Sequence, residues 1–140
     1  MEFRVFDDTV LIRLDKGDEI AKSLLEVAAA ANVAVASVSG IGATDDFEVG
    51  VFDLEKSCYN RTRYFGNHEI NALTGNLTQK DGKPYAHLHI TATGADGKVV
   101  GGHLFEGRVS LTAEIFLQVA KGNAGRKFDE TLGINRISFD

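Results

Sequence analysis

The feature that most restricts the fold is an unbroken alternation late in the chain. Val109, Leu111, Ala113, Ile115, Leu117 and Val119 are interleaved with residues that include Ser110, Thr112, Glu114 and Gln118. Successive side chains of a strand point to opposite faces, so the pattern predicts a strand with the apolar set inward. Such a strand needs partners for its backbone groups and a second layer over its dry face.

The rest of the chain supplies both. Glu2–Phe6 and Thr9–Leu14 read as two short strands around the turn signal Asp7-Asp8, which makes a hairpin the simplest arrangement. After Gly17 the period changes. Ile20, Leu24, Val27, Ala28 and Ala31 recur at helical spacing, with Glu19, Lys22, Ser23 and Glu26 on the other side, predicting one amphipathic helix over about residues 18–31. From Val33 onward the pattern is again β structure punctuated by glycine, with Phe47, Val49 and Val51 alternating and Arg61–Phe65 as a further strand. Short turns between successive strands favour antiparallel pairing. The expected fold is therefore α+β: a largely antiparallel twisted sheet with one main helix packed on it, forming a single domain over residues 1–140. A composition of 44% hydrophobic and 25% charged residues is enough for a real core, and no repeat or low-complexity segment suggests a second unit.

Cys58 is the only cysteine, so no intramolecular disulfide is possible and nothing calls for an oxidising compartment. Met1–Gly17 mixes charged and apolar residues and contains Asp7, Asp8 and Asp15, unlike a secretory signal, and no segment approaches membrane-spanning length. The expected location is the cytoplasm. A formal net charge of −5 disfavours nucleic-acid binding driven by counterion release. The best local basic patch is Lys121, Arg126 and Lys127 with Arg136, for which a solvated loop is the simpler reading.

The chemistry is concentrated in Tyr85-Ala-His87-Leu-His89-Ile-Thr-Ala-Thr93. Histidines two apart on a strand share a face, while Ala86, Leu88, Ile90 and Ala92 form the apolar one. Ala95-Asp96-Gly97 suits a three-residue hairpin loop that pairs Gly94 with Lys98. Continuing that register sets His89 opposite His103, Thr91 opposite Gly101, and Leu88 opposite Leu104, keeping one face apolar on both strands. Directly opposed residues have Cβ atoms about 4.5–5.5 Å apart, near enough for two imidazoles to share an ion. His87, one step along the same face, supplies a third ligand. Imidazole-only coordination suits zinc, copper, iron or nickel, with zinc the first expectation, and three ligands leave a position open for water, substrate or a residue from a neighbouring subunit. Gly101 and Gly102 are expected to leave room beside the cluster. Glu114 is the one carboxylate that can be placed on a nearby polar face, as a proton-transfer group or as a partner of a cation or ligand histidine.

Other signals are weaker. Ser39-Gly-Ile-Gly42-Ala-Thr has glycine spacing similar to a phosphate loop, but no helix opens after it, so its glycines are expected to serve a turn. Gly75-Asn-Leu-Thr-Gln-Lys-Asp81-Gly82-Lys-Pro84 reads as hairpin punctuation rather than chemistry, Cys58 as a single thiol, and His68 receives no role.

Ser39-Gly-Ile-Gly42-Ala, Gly75-Asn-Leu with Asp81-Gly82-Lys-Pro84, His87-Leu-His89, Gly101-Gly-His103-Leu104 and the Val109–Leu117 strand with Glu114 together resemble the PPC domain, conserved in plants and prokaryotes. The resemblance spans nearly the whole chain. It implies an α+β fold, a homotrimer acting as an assembly module, and zinc at His87, His89 and His103. Prokaryotic members are often labelled DNA-binding, yet in the plant proteins an AT-hook makes the DNA contact, and this chain has no Arg-Gly-Arg core. The expected function is thus a metal-binding homotrimeric module, possible partners being a small molecule or a protein. The alternatives are a zinc-dependent enzyme acting on a small polar substrate and, more weakly, DNA binding through Lys121–Arg136.

Overall fold

A computed structural model describes residues 1–139. Its elements run β1 (Glu2–Phe6), β2 (Thr9–Asp15), α1 (Ile20–Ala30), β3 (Ala36–Asp53), β4 (Cys58–Lys80), β5 (Lys83–Gly94), β6 (Val99–Val119), β7 (Gly125–Asp129) and β8 (Ile134–Ser138). The α+β class follows directly, and no described helix is long and apolar enough to cross a membrane.

The order β1-β2-β6-β3-β4-β5 is antiparallel throughout, and β6 additionally pairs with β5. Strands β3, β4, β5 and β6 therefore form a closed circuit, which gives backbone groups partners where an open sheet would have an edge. Closure depends on glycine. A Cβ on Gly102 would stand 2.8 Å from the Gly50 carbonyl oxygen, and one on Gly101 would collide with that of Ile90. The glycines expected to leave space beside the histidines instead let three backbones approach one another.

Gly40 and Gly42 likewise lie inside β3, not in a turn. A Cβ on Gly42 would stand 2.6 Å from Ala113 Cα, and one on Gly40 would stand 2.8 Å from Ile115 Cγ1. The turn expectation is better met by Asp81 and Gly82, whose φ values of 52° and 74° make the two-residue connection from β4 to β5.

Glu19 caps α1 by accepting from Lys22 N–H, and its other oxygen accepts from Gly107 N–H at 3.1 Å, tying the helix start to β6. The helix packs on β5 and β6. Ile20, Leu24, Val27 and Ala28 enter the core with Ile12, Leu14, Phe47, Leu73, Leu88, Ile90, Ile115 and Leu117. Ser23, assigned to the solvent side, is buried. Leu111 departs from the expected alternation and is 72% exposed. Between Thr44↔Val109 and Gly42↔Ala113, β6 advances four residues while β3 advances two, and that irregularity turns Leu111 outward. Val51 is exposed too, because β3 there has run past its last β6 partner at Gly50.

Candidate metal centre

Tyr85, His87 and His89 share one face of β5, opposite Thr78, Asn76 and Thr74 of β4. His89 pairs directly with His103, Thr91 with Gly101, and Gly94 N–H donates to Lys98 C=O at 2.9 Å, as the loop chemistry predicted. The register ends there. His103 is both the last β6 residue paired with β5 and the residue opposite Gly50 of β3, so Leu104 pairs with Val49 rather than Leu88. The change of partner places His103 at the seam where the circuit closes.

The three rings have centroids 5.1–5.5 Å apart, and one ligand atom from each lies within 4.8 Å of the others. A tetrahedral ion about 2 Å from each nitrogen needs those nitrogens roughly 3.3 Å apart, so the rings must close by about 1.5 Å at most. Two further observations fit a metal. His103 Nδ1 is buried with no hydrogen-bond partner, a costly condition that a ligand relieves. Burial, followed by the neighbouring His87, His89 and Arg61, also pushes the His103 pKa down to about 4. Burial, then Arg126 and His89, lowers that of His87. Both rings are therefore neutral at pH 7, the form that ligates metals.

Several neighbours were not singled out in the sequence. Tyr59 lies tilted over His103, with centroids 5.0 Å apart, and Phe105 meets the same ring edge-on at 4.8 Å. Tyr85, His87, His103, Tyr59 and Phe105 line a hollow of about 220 Å³, completed by Arg126, Phe128, Gly133, Ile134 and Asn135 from the β7–β8 hairpin. The alternation Tyr85, His87, His89 could have flagged Tyr85. Nothing local marks the hairpin, which comes to the site by tertiary packing.

Glu114 does not join this group. It pairs with Arg13 of β2 and Ile41 of β3, further along β6, and lines a separate hollow with Glu69 and Asn71. Among the described residues no carboxylate lines the hollow at the histidines. His68 is also separate: its Nδ1 bonds with the Gly66 carbonyl at 2.7 Å, and its ring packs edge-on against Phe47. Cys58 is exposed and unbridged.

Two of the four members of the basic patch, Arg126 and Arg136, are committed to partners within the chain. Arg126 is buried, donating to Thr78 Oγ1 at 2.8 Å, Asn76 Oδ1 at 2.7 Å and the Asn135 carbonyl at 3.1 Å. Its guanidinium also lies over the Tyr85 ring, 4.6 Å from the centroid. Arg136 is paired with Asp129 at 2.6 Å. Asn76 and Thr78, read as part of a punctuation segment, are thus the anchors of a buried cation.

The model of the Plants and Prokaryotes Conserved (PCC) domain matches residues 1–121. The chain belongs to that family. Among similar solved structures is a metal-containing protein from Archaeoglobus fulgidus, 34% identical, with a TM-score of 0.83 over 95% of this chain and 94% of that one. A plant- and prokaryote-conserved protein of Pyrococcus horikoshii is 32% identical, with a TM-score of 0.83 over 94% and 91% of the two chains. A protein from Ralstonia eutropha, provisionally named as DNA-binding, is 27% identical, with a TM-score of 0.90 over 99% and 96%. No curated protein matches the chain. PCC membership agrees with the resemblance carried by the HxH and GGH segments, and the sheet places those segments side by side.

Proposed function

We propose that the protein is a metal-binding module that holds one zinc ion on His87, His89 and His103 and works as a homotrimer. The convergence of three imidazoles from β5 and β6, with a buried, unpartnered Nδ1 on His103, carries this reading. The metal-containing relative from Archaeoglobus fulgidus supports it. Zinc held by His87, His89 and His103 would supply a Lewis acid with a coordination position left for an exogenous ligand. The protein's own part is to keep His87 and His103 neutral, fix the three imidazoles on paired strands and wall the site with Tyr59 and Phe105.

Assembly is supported by the apolar side chains on the outer surface of the main sheet. Ile41, Leu111 and Phe116 are all at least half exposed. Exposed apolar surface of this kind marks interaction sites. The enzymatic alternative would need a proton-transfer group, and neither Glu114 nor any other described carboxylate lines the hollow at the histidines. Direct DNA binding through Lys121–Arg136 is disfavoured by the burial of Arg126 and the pairing of Arg136.

Elemental mass spectrometry on chelator-free protein tests the metal, alongside sedimentation analysis of wild type and of His87→Ala, His89→Ala and His103→Ala. Near-stoichiometric zinc, lost in each variant while the trimer persists, is the expected result. No metal in wild type after reloading with zinc would overturn the site, and a monomer would overturn the assembly.

A further inference from the structure

The two buried side-chain polar atoms without a partner among the described residues are His103 Nδ1 and Asn135 Oδ1, and both residues line the hollow beneath the β7–β8 hairpin. Unsatisfied buried polar groups are rare in native proteins, and their concentration at one hollow points to a missing ligand. A metal accounts for the first atom only. The second is an amide oxygen and accepts, so Asn135 meets an anion in the hollow only with its amide turned to present Nδ2; it lies on the hairpin, beside a group that has a strong preference of its own.

That group is Arg126. A guanidinium has five N–H donors, and Arg126 commits three of them, to Thr78, Asn76 and the Asn135 carbonyl. All three acceptors are neutral. No ion pair to a described carboxylate balances the buried charge, and the stacked Tyr85 ring supplies only a π face. Buried charges are ordinarily paired. The same residue borders the hollow that the histidines border.

The remaining walls are Tyr59, Phe105, Phe128 and Ile134. Phe128 is 60% exposed, a large ring held at the rim with little of its surface covered. At about 220 Å³ the hollow falls below the roughly 300 Å³ at which drug-sized sites begin, which favours a small occupant over one of nucleotide size. A bare inorganic oxyanion would gain nothing from the aromatic walls. An apolar molecule without charge would leave the guanidinium unbalanced.

We propose that this hollow binds a small organic carboxylate, its anionic end held by Arg126 and its apolar body against Phe105, Phe128 and Ile134, beside the histidine cluster. The planar fork of arginine matches a carboxylate bidentately. The proposal rests on the metal reading in one respect: an ion at the histidines gives the anion a second positive neighbour. The site then has an anchor, an apolar slot and a metal on one side, so its occupant is selected by charge and size together.

The test is calorimetric titration of the full chain, zinc-loaded and chelator-stripped, with benzoate, benzyl alcohol and inorganic phosphate as separate probes. Benzoate should bind the loaded protein more tightly than either other probe, and more tightly than it binds the stripped protein. Arg126→Gln should weaken benzoate about tenfold or more while zinc content stays at the wild-type level. If Arg126→Gln fails to fold by circular dichroism, Phe128→Ala, a change at an exposed rim position, should weaken benzoate several-fold and leave phosphate unaffected. Benzoate binding that is undetectable, that survives both changes, or that phosphate equals would overturn the proposal. Should wild type take up no zinc yet bind benzoate in an Arg126-dependent manner, the metal reading falls and the carboxylate site stands.

Discussion

Metal-free protein should lose stability on mild acidification, and His103 should account for much of the loss. Its folded pKa is pushed from the ordinary 6.5 to about 4, so below pH 6.5 the unfolded chain takes up a proton that the folded chain refuses. Stability rises with pH wherever the unfolded state binds more protons, so the contribution is intact above 6.5 and declines as pH falls toward 4. Taken at full strength, that shift removes roughly 2 kcal/mol between pH 7.0 and pH 5.0. The ring is only half buried, so solvent screening brings the expectation to about 1 kcal/mol. The carboxylates do not confuse the window. Asp15, Asp46, Asp53 and Asp129 are held below 3.8 by their hydrogen-bond partners, so the stability they contribute is lost only as pH falls below that value. Urea unfolding in the presence of chelator at the two pH values measures the difference. His103→Asn should flatten the response, leaving the smaller contribution of His87, which has the same sign. A wild-type change below about 0.3 kcal/mol, or a variant that keeps the whole slope, would refute the assignment of a neutral, desolvated imidazole to the seam.

Gly42→Val should cost more than about 2 kcal/mol, read from urea midpoints, because its Cβ would stand 2.6 Å from the Ala113 Cα and neither strand can move without breaking the ladder. His68→Ala should leave zinc content at the wild-type value in elemental analysis, since that ring bonds with Gly66 and packs on Phe47 apart from the triad. Phe116→Lys should convert the proposed trimer to monomer in sedimentation analysis, whereas a variant that still assembles would move the interface away from this face. Arg126→Met should cost about 2 kcal/mol or more in the same unfolding assay by stranding Asn76 Oδ1 and Thr78 Oγ1; an unchanged midpoint would show the anchor to be dispensable.

Local periodicity carried much of the fold into view. The hairpin register from Gly94–Lys98 to His89–His103 follows from loop chemistry and the need to keep Ile90 and Ala92 inside, both of which are written in short stretches of sequence. One residue later the pairing departs from that register. Leu104 changes partner to Val49 because β6 is shared by two neighbours, and no pattern within β6 announces a third strand. Leu111 was misplaced for a related reason: a shift in pairing against β3 reverses faces without altering the alternation in β6. Glycines 40, 42, 101 and 102 resembled turn or spacer residues because sequence shows a missing side chain, but only the tertiary structure shows the backbone that takes its place. Arg126 was invisible as a core residue for want of its distant acceptors, Asn76 and Thr78, which lie about fifty positions earlier.

Hairpin β7–β8 forms a separate two-stranded ladder and contributes no strand to the six-stranded sheet. His89 and His103 sit where their strands are paired on both sides and His87 where β5 is laddered to β4, whereas Phe128, Ile134 and Asn135 sit on a flap whose backbone bonds are mainly its own. Phe128 and Ile134, unlike the anchor Arg126, can be exchanged without disturbing the cage, so the chemistry of the site and the identity of what it admits can diverge independently. A designer wishing to retune this protein would rewrite the flap and leave the strands alone.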